Sequence, residues 1–313
     1  MYPLKKILVG LDATNMDKTL IQFASFLAHT TSAEEVYFVN VIKSTQLPSA
    51  LRKEFPNLME AAICDRRKAL EKTVIEHFDL TDLGIKVKIS VEQGNLPSKS
   101  ILKIATRHDI DAIVVGRKKN LKDSSVVTQR LARRATCSLL IVPEKDYSIV
   151  NRIMVATDFS KDSLAAMEEA IFVAEQGRKD GRDVEVVCYH AYQVPSGYHY
   201  TGKTYEECGA VMRKNAEKNY LKFISKVDTR DVNIKPVFSL NRNEKAVAAI
   251  YEKAVELGVD CIVIGGKGKA ASTDFFPIGT NTEKLISRSS SIPLLIVRPK
   301  HKNAGLMEML QRI

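Results

Sequence analysis

The series Gly265, Gly268, Gly279, Thr280 carries the clearest chemistry in this 313-residue chain. It begins where an apolar run ends at Ile264. Gly268 lies three residues beyond Gly265, and ten more residues lead to Gly279 and Thr280. Glycines let a backbone approach phosphate oxygens closely. Successive N–H groups can form an anion-binding concavity. A helix opening at Thr280 would add the positive end of its dipole, and Thr280 and Thr282 would add hydroxyl donors. Lys267 and Lys269 could neutralise phosphate charge. The competing reading is a Gly/Lys surface loop ahead of a capped helix. The loop is not a Walker A, because no GKS or GKT follows the glycines at the needed spacing.

Other chemistry is thinner. Asp158 follows a strand pattern and reads by itself as a turn or N-cap carboxylate. His190 and His199 stand among tyrosines with Cys188 and Cys208 nearby, but the spacing matches no zinc motif. Phe275, Phe276 and Pro277 read as packing residues. Arg130, Arg133 and Arg134, with Lys118, Lys119 and Lys122 before them, form a basic cluster. No aromatic platform accompanies it, so it reads as a solvated face and no nucleic-acid partner is expected. The sequence offers no GxSxG, no HExxH and no carboxylate pair of evident catalytic geometry, so no catalytic and no metal-ligating residue is assigned.

The elements that must position these residues occur twice. ILVGLD at 7–12 returns as IMVATD at 153–158, DAIVVG at 111–116 as DCIVIG at 260–265, and LLIV at 139–142 as LLIV at 294–297. The offsets of 146, 149 and 155 rise in order, as expected of a duplicated domain that gained loop residues. The repeat implies domains at 1–145 and 149–300 and a tail at 301–313. In the first half strands are expected at 6–9, 36–41, 87–91, 112–115 and 139–142, and helices near 18–28, 55–78, 97–107 and 125–135. In the second, strands are expected at 153–156, 184–189, 232–239, 261–264 and 294–297. Helices are expected from Ser160 as N-cap, over 205–227, 244–257 and 283–288. Alternating strand and helix implies α/β domains with open parallel sheets and helices on both faces. Ligands of such sheets bind at the carboxyl ends of the strands.

Composition agrees. The chain is 45% hydrophobic with net charge +10, which favours anionic partners in general but reads first as a solvated lysine-rich surface. Its five cysteines are odd in number and lack CxxC spacing, so they read as reduced thiols of a cytoplasmic protein. No apolar run is long enough to span a bilayer.

IMVATD, DCIVIG, the glycine series and IPLLIV at 292–297 together resemble the universal stress protein family in its tandem form. The resemblance covers nearly the whole chain and implies two Rossmann-like domains of the adenine-nucleotide alpha-hydrolase-like kind. The family's ATP-binding branch spaces its second and third glycines by nine residues, where this chain has ten. The resemblance implies that Ala156, Thr157 and Asp158 lie near ribose and adenine, with Asp158 on a ribose hydroxyl. Ala191, just past the second strand, would meet the adenine edge. Ile264 would belong to the nucleotide-binding set, Gly265, Lys267 and Gly268 would contact phosphates, and Gly279, Thr280, Asn281 and Thr282 would face them. Ala156 stands where the family usually has proline.

The first half departs further. Gly116 and Asp12 are kept, but Lys119 and Ser124 replace the later glycines, the loop between is only 120–123, and Ser125 follows. No ATP is expected there. The resemblance therefore implies a stress or signalling module binding ATP or a related adenine nucleotide in its second half, with Mg2+ open as a companion ion. It also implies pairing of domains through the closing strands, and further self-association through those strands or the tail is an expectation. A scaffold without nucleotide and a slow nucleotide hydrolase using Asp158 or Glu283 stay open as alternatives.

Overall fold

The computed structural model describes residues 4–43, 54, 57–79, 84–118, 122–145, 149–242, 246–267, 279–288 and 291–298. The chain divides into two compact units, 2–147 and 148–298. In the first unit the order is β1 (Lys6–Leu11), α1 (Met16–Thr31), β2 (Glu35–Ile42), α2 (Leu58–His77), β3 (Lys86–Gln93), α3 (Pro97–Arg107), β4 (Ala112–Arg117), α4 (Lys122–Arg134) and β5 (Ser138–Pro143). In the second it is β6 (Arg152–Ala156), α5 (Lys161–Lys179), β7 (Glu185–Tyr192), a 3-10 turn (Ser196–Thr201), α6 (Tyr205–Ile224), β8 (Ile234–Leu240), α7 (Ala246–Glu256), β9 (Cys261–Gly265), α8 (Thr280–Arg288) and β10 (Leu294–Val297).

Within the first unit the strands run β3-β2-β1-β4-β5, and within the second β8-β7-β6-β9-β10. Every pairing inside each unit is parallel. Both units are thus open α/β sheets in which the first strand stands central. The central strands are continuous apolar runs because helices cover both faces. Leu8, Val9, Ile113, Ile153, Met154 and Ile262 are among their fully buried side chains. The outer strands β3 and β8 are half-exposed, and β8 accommodates Pro236. Proline is tolerated at such a position because one side of the strand has no ladder to supply.

Helix starts follow local chemistry. Ser160 caps α5 by accepting the Ser163 N–H at 3.2 Å. Thr204 and Glu207 form a reciprocal capping box at α6. Several expected boundaries move, among them the start of α8 at Thr280 rather than near 283. β7 runs on to Tyr192, because His190, Ala191 and Tyr192 pair with Phe238, Ser239 and Leu240. α6 ends at Ile224 rather than near 227. α4 starts at Lys122, so part of the expected 120–123 loop is helix. Among the described residues no helix is long and apolar enough to cross a membrane. All five cysteines are free thiols.

Candidate functional site

In the second unit the carboxyl ends of β6, β7 and β9 lie side by side. Val155 pairs with Val263, so the next residues up, Thr157 and Gly265, end adjacent strands. The Thr157 N–H donates to the Tyr189 carbonyl at 2.9 Å, and the His190 Nδ1–H donates to the Thr157 carbonyl at 2.8 Å. A carbonyl only accepts, so this bond requires a proton on Nδ1. The Phe159 ring lies 4.4 Å from that imidazole and 5.5 Å from Phe223.

The turn after β6 is tightly held. Phe159 adopts φ of +60°, a left-handed conformation uncommon outside glycine. Its N–H donates to Thr157 Oγ1 at 2.8 Å. Asp158 Oδ1 accepts from the Ser160 N–H at 3.0 Å and from the Ser163 hydroxyl at 2.9 Å. The carboxylate therefore organises the turn and the first turn of α5, as its local reading suggested.

The glycine loop starts from equally close contacts. A Cβ on Gly265 would stand 2.6 Å from the Asp162 backbone carbon, and one on Gly266 3.0 Å from Arg298 Cγ. Gly265 is demanded by the protein's own packing, and Gly266 is closely approached by the Arg298 side chain. The Lys267 N–H donates to Asp162 Oδ2 at 3.0 Å. The far end of the loop returns to the near end, because the Gly279 N–H donates to the Gly266 carbonyl at 2.9 Å. Thr282 is buried, and its hydroxyl donates to the Gly265 carbonyl at 3.4 Å. These bonds set the start of α8 against the end of β9, so the extra loop residue does not prevent closure.

Of the expected site, Ala156, Thr157, Asp158, Ile264, Gly265, Lys267, Gly279 and Thr282 converge at these strand ends. Ala191 does not lie past β7 as expected. It is inside the strand, half-buried, paired with Ser239. Gly268 lies outside the described residues, as do Lys119, Lys269, Phe275, Phe276, Pro277 and the tail. For Thr280 and Asn281 only the helical backbone is described. The sequence reading missed Asp162. A helix first turn is an ordinary place for an acid, and only the approach of β9 reveals that it faces the loop.

The first unit builds the same turn from other residues. Ala13 takes φ of +58°, matching Phe159. Where the second unit has Ser163, the first has Asp17, whose carboxylate accepts from the Asp12 N–H at 3.1 Å and the Ala13 N–H at 2.8 Å. Burial pushes this carboxyl up to about 6 despite those bonds. Asn40 stands where the second unit has His190 and donates to the Leu11 carbonyl at 2.9 Å. Lys118 forms an ion pair with Asp12 across the strand ends.

The Universal stress protein family model matches residues 3–143 and again 150–298. A universal stress protein from Archaeoglobus fulgidus DSM 4304 is 18% identical, over 94% of this chain and 96% of that one, with a TM-score of 0.57. A putative universal stress protein from Pseudomonas aeruginosa UCBPP-PA14 is 15% identical over 98% of both chains, with a TM-score of 0.63. At these identities the likeness is one of fold. No curated protein matches the chain significantly. Two successive family matches on two units of one strand order leave a single assignment: the chain belongs to the universal stress protein family, in tandem form.

Proposed function

We propose that the second unit binds an adenine nucleotide, ATP in the first instance, at the carboxyl ends of β6, β7 and β9, and that the chain acts as a ligand-responsive stress module. The observation that carries this reading is the loop closure between Gly279 and Gly266. It sets the N-terminus of α8 beside a strand end, a position that favours negative charge. Thr157, Asp158 and Ala191 then offer the ribose and base side. Lys267, Gly268, Thr280 and Asn281 offer the phosphate side. Mg2+ would be carried on the phosphates. Among the described residues no three His, Cys, Asp or Glu side chains converge to hold a metal ion themselves.

Asp162 makes the phosphate side conditional. Its carboxylate already occupies the Lys267 N–H, and it would repel an incoming phosphate. Binding therefore needs this contact to open. The same carboxylate favours a second reading, a scaffold that holds no nucleotide. Equilibrium dialysis of labelled ATP against the full chain separates the two. One saturable site, lost in Gly268→Asp with the circular dichroism unchanged, supports the nucleotide reading. No retention by either protein supports the scaffold, and equal retention by both would place the nucleotide away from the glycine loop and contradict both readings.

A further inference from the structure

The first unit keeps a cavity at its strand ends, of about 380 Å³. Its chemistry is not that of a polyphosphate cradle. Met16, Leu20, Ile101 and Val115 give it apolar walls. Met16 also fills the space beside Gly116, where an added Cβ would lie 2.6 Å from its Sδ. The corresponding space in the second unit is taken by Asp162. Lys118, a cation that could meet phosphate, is already paired with Asp12, and that acid also lines the cavity.

Two further features ask for a ligand. Asn40 lines the cavity, is 3% exposed, and its Oδ1 has no hydrogen-bond partner. A buried acceptor left without a donor is unfavourable and uncommon. Lys43 and Arg66 also line the cavity, both half-buried. Neither joins any of the ion pairs formed among the described residues, including the one between Lys118 and Asp12. The cavity thus combines apolar walls, one buried acceptor and two cations with no ion pair among the described residues.

We propose that this cavity is a ligand site of its own, for a small amphipathic organic anion. Its apolar body would lie against Met16, Leu20 and Ile101. One N–H or O–H of the ligand would satisfy Asn40 Oδ1, and a single anionic group would face Lys43 and Arg66. The site is distinct in class from the nucleotide site of the second unit and does not depend on it.

The probe 8-anilinonaphthalene-1-sulfonate carries these three features: aromatic body, one N–H, one sulfonate. Fluorescence titration of the full chain should show one saturable site. In K43Q/R66Q the dissociation constant should rise about tenfold or more, about 1.4 kcal/mol, with circular dichroism unchanged. A control pair on the exposed face of α6, K214Q/K218Q, should leave it unaltered. AMP at equal concentration should not displace the probe. No saturable site, equal affinity in K43Q/R66Q, an equal loss in the control pair, or displacement by AMP would each overturn the proposal.

Discussion

On the proposed reading, Asp162 is the residue on which nucleotide affinity would turn. Its carboxylate accepts from Lys267 at 3.0 Å. Two like charges about 5 Å apart near a surface repel by about 3 kcal/mol at an effective dielectric of ~20, before screening. Asp162→Asn keeps an acceptor for that N–H and removes the charge. ATP should then bind more tightly, by about tenfold, in calorimetric titration of the full chain. Unchanged or weaker binding would show that the phosphates lie elsewhere. Two acids titrate into stability. Burial raises Asp17 to about 6 from 3.8 and Glu169, on α5, to about 7 from 4.5. A raised carboxyl keeps its proton longer in the folded chain than in the unfolded one. Its contribution is thus fully present below the unfolded value and is lost as pH climbs through the folded one. Each shift corresponds to about 3 kcal/mol. Asp17→Ser, which installs the second unit's solution, should flatten the fall in urea stability between pH 4 and 6. Glu169→Gln should raise stability at pH 8 and change little at pH 4. If both variants followed the parent's pH profile, burial would not be what shifts these carboxyls.

At the level of elements, matched glycines close β4 and β9 but tolerate change differently. Gly265 meets the backbone of Asp162, whereas Gly116 meets the thioether end of Met16. Backbone cannot step aside, and a methionine can. Gly265→Ala should therefore cost about 2–4 kcal/mol in denaturant unfolding, and Gly116→Ala about 1 kcal/mol or less. Equal costs would contradict the packing account. The same comparison shows what sequence pattern reveals. The central strands were legible because a doubly covered strand is a continuous apolar run. The end of β7 was not, since His190, Ala191 and Tyr192 break that run while continuing the ladder to β8. α4 began early because Lys122 and Asp123 carry no signal that separates a loop from a helix's first turn.

For the whole molecule, duplication was legible from three repeated segments, and with it the fold of each unit. The divergence of the two strand-end sites was legible only in part. Loss of the later glycines in the first half could be read directly. The exchange of His190 for Asn40 and of Ser163 for Asp17, and the different engagements of Asp12 and Asp162, could not. Asn40 and His190, and the partners of Asp12 and Asp162, meet only once the strands are in register. Asp17 and Ser163 act within five residues of their own turn and betray their roles only through its left-handed geometry. The outcome is two related units with unlike strand ends: one set against a helix start by the bond from Gly279 to Gly266, one with apolar walls and two cations that join no ion pair among the described residues. Native mass spectrometry of the full chain, equilibrated with excess ATP and then buffer-exchanged, tests this asymmetry most directly. The account predicts one nucleotide retained per chain, lost in Gly268→Asp. Two nucleotides per chain, none, or one that survives that substitution would contradict it.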